Sequence, residues 1–360
     1  MKNWRRIFAV LCLGLILIGT AACSGGMSGN KGNTHKVGVS MPDTDTKRWI
    51  RDGINIKAQL EALGYTVELY NAEGDPTVQV SQIEKMINNG AECLVITPID
   101  SSALLPTLKR AKQRKIPIIS YDRLIMDSDS VKYYASFDNQ EVGRLIGRFV
   151  EKKLNLAERT EPANVEFFAG AATDNNAYFF NAGIFEILEP YIKSGQLRIP
   201  SGQKEFDIIT TPEWSTEYAR TRMKSLIAAY YSKGRKLDAV VPASDILTHG
   251  IVAALDESGY IPGDNWPIVT GQDFDRTAIK DIRSGKQSQT IFKDTRILAA
   301  KCANMVQALL EGKEPEINDT TSYDNHKLVV PSYLCKPVSV DKDNLDKIYA
   351  ESGYSVSQQK

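Results

Sequence analysis

Cysteine and histidine are scarce in this chain of 360 residues, at five and three, and neither sign of charge is in excess, with 44 Lys and Arg against 44 Asp and Glu. Each shortage excludes something. Cys12 and Cys23 fall within the first 23 residues, while Cys93, Cys302 and Cys335 sit in apolar surroundings. Those settings point to buried free thiols, with one disulfide left open as an alternative. No cysteine or histidine spacing suits a metal, and His35, His249 and His326 are scattered, as surface or packing residues are. A balanced charge gives no electrostatic case for nucleic acid or for an anionic membrane surface. Beyond the N-terminal region no run is apolar enough to cross a bilayer. There is no nucleophile elbow, metal motif or phosphate loop, so no cofactor is expected.

The N-terminus is distinctive. Lys2, Arg5 and Arg6 precede an apolar run at 7–19, and Thr20-Ala21-Ala22-Cys23 follows. This charged, apolar, small order is that of an export signal, and the run is too short for a comfortable bilayer span. The small residues before Cys23 resemble a bacterial lipobox, in which that cysteine is lipidated and becomes the new N-terminus. Thr20 departs from the commoner Leu, and the alternative is plain cleavage after Ala22. Residues 24–34, rich in Gly, Ser and Asn, read as a flexible tether. Either way the folded part works outside the cytoplasm. About 325 residues remain, enough for two domains.

From residue 36 onward short β-branched runs alternate with helical patterns. Strands are expected at 36–41, 66–71, 93–97, 116–121 and 132–137, with helices at 49–63, 76–89 and 102–114. The cadence repeats with helices at 140–154, 176–191, 216–231, 245–258, 277–283 and 295–311. Strands are expected at 164–169, 205–209, 237–243, 267–271 and 288–292, and one more extended run at 327–330. Such alternation gives right-handed crossovers and mostly parallel sheets with helices on both faces, an α/β class.

In open parallel sheets ligands bind beyond the C-terminal strand ends. The residues there are Asp43, Asp45, Lys47, Arg48 and Trp49; Asp122 and Arg123; Asp174, Asn175 and Asn176; Ser244 and Asp245; Gln272 and Asp273; Lys293 and Asp294. Trp214 lies in a segment that leads into a helix. Carboxylates accept from hydroxyls, Arg and Lys donate to hydroxyl and ring oxygens, and Asn does both. Indole faces suit the C–H face of a pyranose. Against this stand plainer roles: N-capping for Asp174 and Asp245, a structural ion pair for Asp122 and Arg123, core packing for Trp49, and a surface position for Lys293.

The motifs Lys47-Arg48-Trp49, Ser120-Tyr121-Asp122-Arg123, Asp174-Asn175-Asn176-Ala177, Gly271-Gln272-Asp273, Thr290-Ile291-Phe292-Lys293-Asp294-Thr295 and Val329-Val330-Pro331-Ser332-Tyr333 together resemble the periplasmic sugar-binding proteins of the ribose/galactose type, nearest their xylose and multiple-sugar branch. The resemblance implies two Rossmann-like lobes joined by a three-strand hinge. One lobe would comprise 35–137 plus 292–324 and the other 138–291 plus 325–354, with crossings near 137–139, 291–292 and 323–325. It implies sugar contacts from Arg48, Trp49, Asp122, Arg123, Asn175 or Asn176, Trp214, Asp245, Asp273 and Lys293. Ala243-Ser244-Asp245 departs from the Asn of xylose binders, which leaves the sugar open among xylose, arabinose, galactose and glucose.

The function implied is that of a monomeric, non-enzymatic lipoprotein subunit of an ABC-type sugar importer, held to the extracytoplasmic membrane face through Cys23. A membrane permease, and in related proteins a chemoreceptor, would be its partners. The rivals are a receptor for a sugar-like signalling molecule and an extracellular sugar hydrolase.

Overall fold

The computed structural model describes residues 35–44 and 47–353. The expected export segment 1–23 with Cys12 and Cys23, the tether 24–34, Asp45 and residues 354–360 lie outside the described residues.

Strands β1 (Lys36–Met41), β2 (Thr66–Asn71), β3 (Cys93–Ile96), β4 (Ile118–Tyr121) and β5 (Tyr133–Phe137) are interleaved with helices α1 (Lys47–Ala62), α2 (Pro76–Asn88) and α3 (Ser101–Gln113). Next come α4 (Asn139–Lys153), β6 (Ala163–Phe168), α5 (Asn175–Ser194), β7 (Leu197–Arg198), α6 (Phe206–Ile209) and α7 (Thr216–Leu226). They are followed by β8 (Ala239–Pro242), α8 (Asp245–Glu257), β9 (Ile268–Val269), α9 (Arg276–Ser284) and β10 (Gln289–Phe292). The chain continues through α10 (Thr295–Leu310), β11 (Ser332–Cys335), β12 (Val338–Asp341) and α11 (Leu345–Glu351).

The first lobe is a parallel sheet in the order β11-β5-β4-β3-β1-β2, and the second is built on a parallel sheet in the order β7-β6-β8-β9. In both, the strand order reverses beside the lobe's first strand, at β1/β3 and at β6/β8. Parallel sheets open a crevice at such points. Side-chain alternation along the strands builds a core on each face. Cys93 and Val95 join Val39, Ile119 and residues of α1 and α10 on one side. Leu94 and Ile96 join Ile83, Leu104 and Leu108 of α2 and α3 on the other. In the second lobe Val165 and Phe167 face α4 and α5, while Phe168 and Val240 face α7 and α8.

Aspartates at strand ends open many of these helices, as short acceptors for orphan N–H groups do. Asp75, Asp100, Asp138, Asp174, Asp275 and Asp294 each accept a bond from the first turn of the following helix. Gly195 and Gly285 close α5 and α9 in the left-handed conformation.

Several expectations need correction. The run 205–209 is not a strand but the short helix α6 with Glu205 as its N-cap. Only Ile209 in it is buried, with Ile208 facing solvent, so it offers no pleated apolar face. The strand beside β6 is instead β7, which pairs only with Ala163 and Asn164. Beyond that point the Phe167 carbonyl accepts from Arg222 Nη1 at 2.8 Å. Residues 327–330 form no strand; Val329 makes an isolated bridge with Asp324. The strand lies just after Pro331, where β11 pairs in parallel with Tyr134–Phe137 of β5. Residues 332–335 therefore belong to the first lobe, not the second. After β11 the chain continues into β12, which pairs antiparallel with β10 rather than with either parallel sheet. β12 and α11 were not anticipated. Cys93, Cys302 and Cys335 are free and buried.

Helices α4 and α5 cross where Gly143 faces Gly183. A methyl group at Gly143 would meet the Phe180 carbonyl and the Gly183 backbone rather than a movable side chain. Gly143→Ala must push the helices apart. The expected loss is about 1–3 kcal/mol, read as a lower midpoint in chemical denaturation, with Gly147→Ala, which meets mainly the Ile187 side chain, costing less.

Candidate functional site

The C-terminal strand ends of both lobes meet across one cleft, which two guanidinium groups, those of Arg48 and Arg123, span. Arg48, in the first turn of α1, is buried. Its Nη2 donates to Asp122 Oδ2 of the same lobe, and its Nη1 donates to Asp273 Oδ1 of the other at 3.3 Å. Its Nε lies 3.5 Å from Asp52 Oδ2, one helical turn along α1. Burial works against the Arg48 charge, but Asp122, Asp273 and Asp52 outweigh it and raise its affinity for the proton.

Lys293, just past β10 at the hinge, ion-pairs with the same Asp273 oxygen at 2.8 Å. Its Nζ also lies 5.6 Å from the ring centre of Phe180 and 6.0 Å from that of Phe137. Burial would raise the Asp273 carboxyl, but Lys293 and Arg48 together hold it below its ordinary value. Trp49 is buried beneath two guanidinium groups, 4.8 Å from Arg48 and 5.2 Å from Arg123. Arg123 reaches across the cleft to Asp174 at 3.0 Å.

Five of the ten non-glycine residues with positive φ among the described residues sit at these places, where strain often marks function. Asp122 has φ of 60°, Asp273 and Phe274 have 99° and 54°, and Glu213 and Trp214 have 53° and 55°. Each value is uncommon for a residue with a side chain. At Asp122 the surroundings hold it. Its carbonyl accepts from Ser136 Oγ at 2.8 Å and from Asn176 Nδ2 of the second lobe at 3.0 Å.

The structure distinguishes Asn175 from Asn176. Asn176 is fully engaged between the lobes: its Oδ1 accepts from Asn139 Nδ2 at 2.8 Å and from Tyr134 Oη at 3.1 Å. Asn175 Nδ2 is buried without a partner, as are Trp214 Nε1 and Gln272 Oε1. A buried polar group left unbonded costs about 1–3 kcal/mol. These three atoms on the second-lobe side are therefore suited to a polar guest. The Trp214 indole is half-buried, edge-on to Phe180 at 6.4 Å, and lies over Gly170.

Of the expected residues, Arg48, Trp49, Asp122, Arg123, Asp273 and Lys293 form one connected set; Asn176 joins it through the Asp122 carbonyl, and Trp214 through Phe180. Asp245 is set apart. It is buried at the start of α8 and accepts from Gln287 Nε2 at 2.8 Å, Thr290 Oγ1 at 2.9 Å and the Asp275 N–H at 3.1 Å. It braces the loop that carries Asp273. Burial, with Asp275 nearby, pushes its carboxyl well up. Asp174 caps α5, the plainer of its two readings, and also pairs with Arg123. Asp52 was missed, although its i,i+4 spacing from Arg48 is a sequence signal for a pair on one helix face. Tyr134, Asn139 and Phe180 were also missed, because their roles arise only from packing between lobes. Among the described residues no cluster of His, Cys, Asp and Glu could hold a metal ion.

A methyl group at Gly170 would overlap the Trp214 ring atoms. Gly170→Ala should displace the indole, changing the intrinsic tryptophan fluorescence, with a stability loss of about 1–3 kcal/mol. An unchanged emission spectrum would contradict the packing described.

The chain is similar over most of its length to proteins of one family. Residues 37–314 match the periplasmic binding protein domain. The chain is 45% identical over 324 residues to the multiple sugar-binding periplasmic receptor ChvE of Rhizobium radiobacter, covering 90% of this chain and 91% of that protein. It is 32% identical over 350 residues to the D-xylose-binding periplasmic protein of Escherichia coli, covering 97% of each. Among solved structures, an ABC transporter solute-binding protein from Clostridium phytofermentans with bound β-D-glucose superposes with a TM-score of 0.85 at 47% identity, over 89% of this chain and 98% of that one. By its fold and by the extent of these matches, the chain belongs to the periplasmic binding protein family.

Proposed function

We propose that this protein captures a monosaccharide between its two lobes and delivers it to an ABC-type importer. The observation that carries the reading is the cleft itself. Arg48, Lys293 and Asp273 are charged, hydroxyl-seeking groups gathered from both lobes, beside the indole of Trp214 and the unbonded Asn175 amide. Charge-assisted bonds to neutral hydroxyls are roughly twice as strong as neutral ones. Relatives described as binding several sugars, D-xylose or β-D-glucose support an aldose of that class. Arg48, Asn175, Asp273 and Lys293 would contact the ring hydroxyls, with Trp214 against the C–H face. Asp122, Arg123, Trp49 and Asn176 would shape and seal the site, and Asp245 would hold the Asp273 loop.

Capture would proceed by hinge closure about the three crossings. The closed pair of lobes would be what the permease, or a chemoreceptor, recognises. Export and lipidation at Cys23 would hold the protein at the outer face of the membrane, with 24–34 as a tether. A binding role fits the acids better than hydrolysis does. A glycosidase needs one carboxyl that holds its proton at the cleft, whereas Lys293 and Arg48 keep Asp273 ionised, and the carboxyls that burial pushes up, Asp52 and Asp245, are buried and bonded to Tyr121 and to Gln287 and Thr290.

Isothermal titration with D-glucose, D-xylose, L-arabinose and D-galactose tests this directly, and saturable binding of at least one is expected. Trp214→Ala should weaken it by on the order of 2 kcal/mol, roughly thirtyfold. Asp273→Ala should cost about 2–5 kcal/mol, because it strands two buried cations. Affinities unaltered in both variants, or turnover of an oligosaccharide, would refute the proposal.

A further inference from the structure

Beneath the cleft lies a carboxylate that the capture of a sugar does not require. Asp52 is fully buried on α1, directly under Arg48. Its Oδ1 accepts from Tyr121 Oη at 2.9 Å. Its Oδ2 and the Arg48 Nε both lack hydrogen-bond partners, at a separation of 3.5 Å. The reason lies in how Arg48 is shared. One nitrogen serves Asp122 and another serves Asp273, so the guanidinium is turned toward the cleft. Asp52 is left with an incompletely compensated charge in a dry site, which favours the protonated form. Tyr121 immediately precedes Asp122, so Asp52 ties together the two first-lobe elements that supply Arg48 and Asp122.

The other groups facing this carboxyl are few. Arg51 on α1 acts on both Asp52 and Asp273 in the attractive sense, and Asp122 acts in the repulsive sense. From α10, Cys302 faces the same tyrosine, its thiol pushed up by burial and therefore neutral.

Resting on the reading of the cleft as a sugar site, we infer that Asp52 is a positioning residue for Arg48 that takes up a proton as the lobes close, so that sugar affinity is stronger in mildly acid than in mildly alkaline solution. When the lobes part, Asp273 leaves with the second lobe. Arg48 can then turn its charge toward Asp52, water reaches the pair, and the carboxyl returns toward its ordinary range. In the closed form burial pushes Asp52 up to about 7, with Asp122 adding to the rise and Arg48 opposing it. The sign follows from linkage. Between the ordinary carboxylate range and about 7 the closed form holds a proton that the open form lacks. Closure is therefore favoured as pH falls through that window, and it is independent of pH above it.

The test is calorimetric titration of the wild-type protein with D-glucose, or with whichever aldose binds, at several pH values and in two buffers of different ionisation enthalpy. The expected result is uptake of about one proton per sugar near pH 6 and affinity roughly twentyfold tighter near pH 5.5 than near pH 7.5. Asp52→Asn keeps the shape and removes the proton, so it should bind with no proton uptake and a flat profile. A purely structural role would shift affinity equally at every pH. Sugar binding by the wild type without proton uptake, or an Asp52→Asn variant that retains the slope, overturns the inference and leaves the sugar reading standing. A wild type that binds none of the four sugars overturns both. The wild-type comparison in two buffers decides the matter even if the variant does not fold.

Discussion

One guanidinium holds this architecture together at its centre. Arg48 is buried, donates within its own lobe to Asp122 and reaches Asp273 in the other. A buried cation of this kind is stable only while its carboxylates surround it. In the proposed cycle, closing the lobes would also complete the Arg48 shell. Lys293 reinforces this from the hinge by sharing the Asp273 oxygen that Arg48 uses. On the proposed function, binding, closure and charge compensation would be one event.

The strained backbone serves the same end. Asp122, Trp214 and Asp273 all occupy the left-handed region, where chain direction changes sharply between a strand or loop and the next helix. Those turns bring their side chains to the cleft: Asp122 to Arg48 of its own lobe, Trp214 over Gly170, and Asp273 across to Arg48. The cost is met by dense surroundings, of which the bonds from Ser136 and Asn176 to the Asp122 carbonyl are the clearest case. Asn176, Tyr134 and Asn139 form a polar seam between the lobes close to the first crossing, so the hinge side of the cleft is already knit while the far side depends on ion pairs.

Much of this was legible in the sequence, and the remainder was hidden for identifiable reasons. Alternation of β-branched runs with helical patterns located β1, β2 and α2 nearly to the residue: β1 is buried along almost its whole length, while β2, half-buried at the sheet edge, alternates Val67 and Leu69 with Thr66 and Glu68. The strand-end rule placed Arg48, Asp122, Asp273 and Lys293 on one edge before any coordinates. It failed where local pattern and long-range pairing diverge. The Ile208-Ile209 pair reads as a strand, yet one of the two faces solvent. β11 is short and follows Pro331, and only its pairing with β5 identifies it. Asp245 met the strand-end rule but is turned inward by Gln287 and Thr290, which come from over forty residues away. The choice between Asn175 and Asn176 likewise depended on Tyr134 and Asn139, partners that no spacing could supply.

The most direct test of the central claim is a crystal structure of the protein grown with D-glucose. The account requires closed lobes with the sugar bounded by Arg48, Asn175, Trp214, Asp273 and Lys293, and the Arg48 guanidinium still bridging the two halves. A sugar bound elsewhere on the molecule, or seated between the lobes without contact to Arg48 or Asp273, would contradict it.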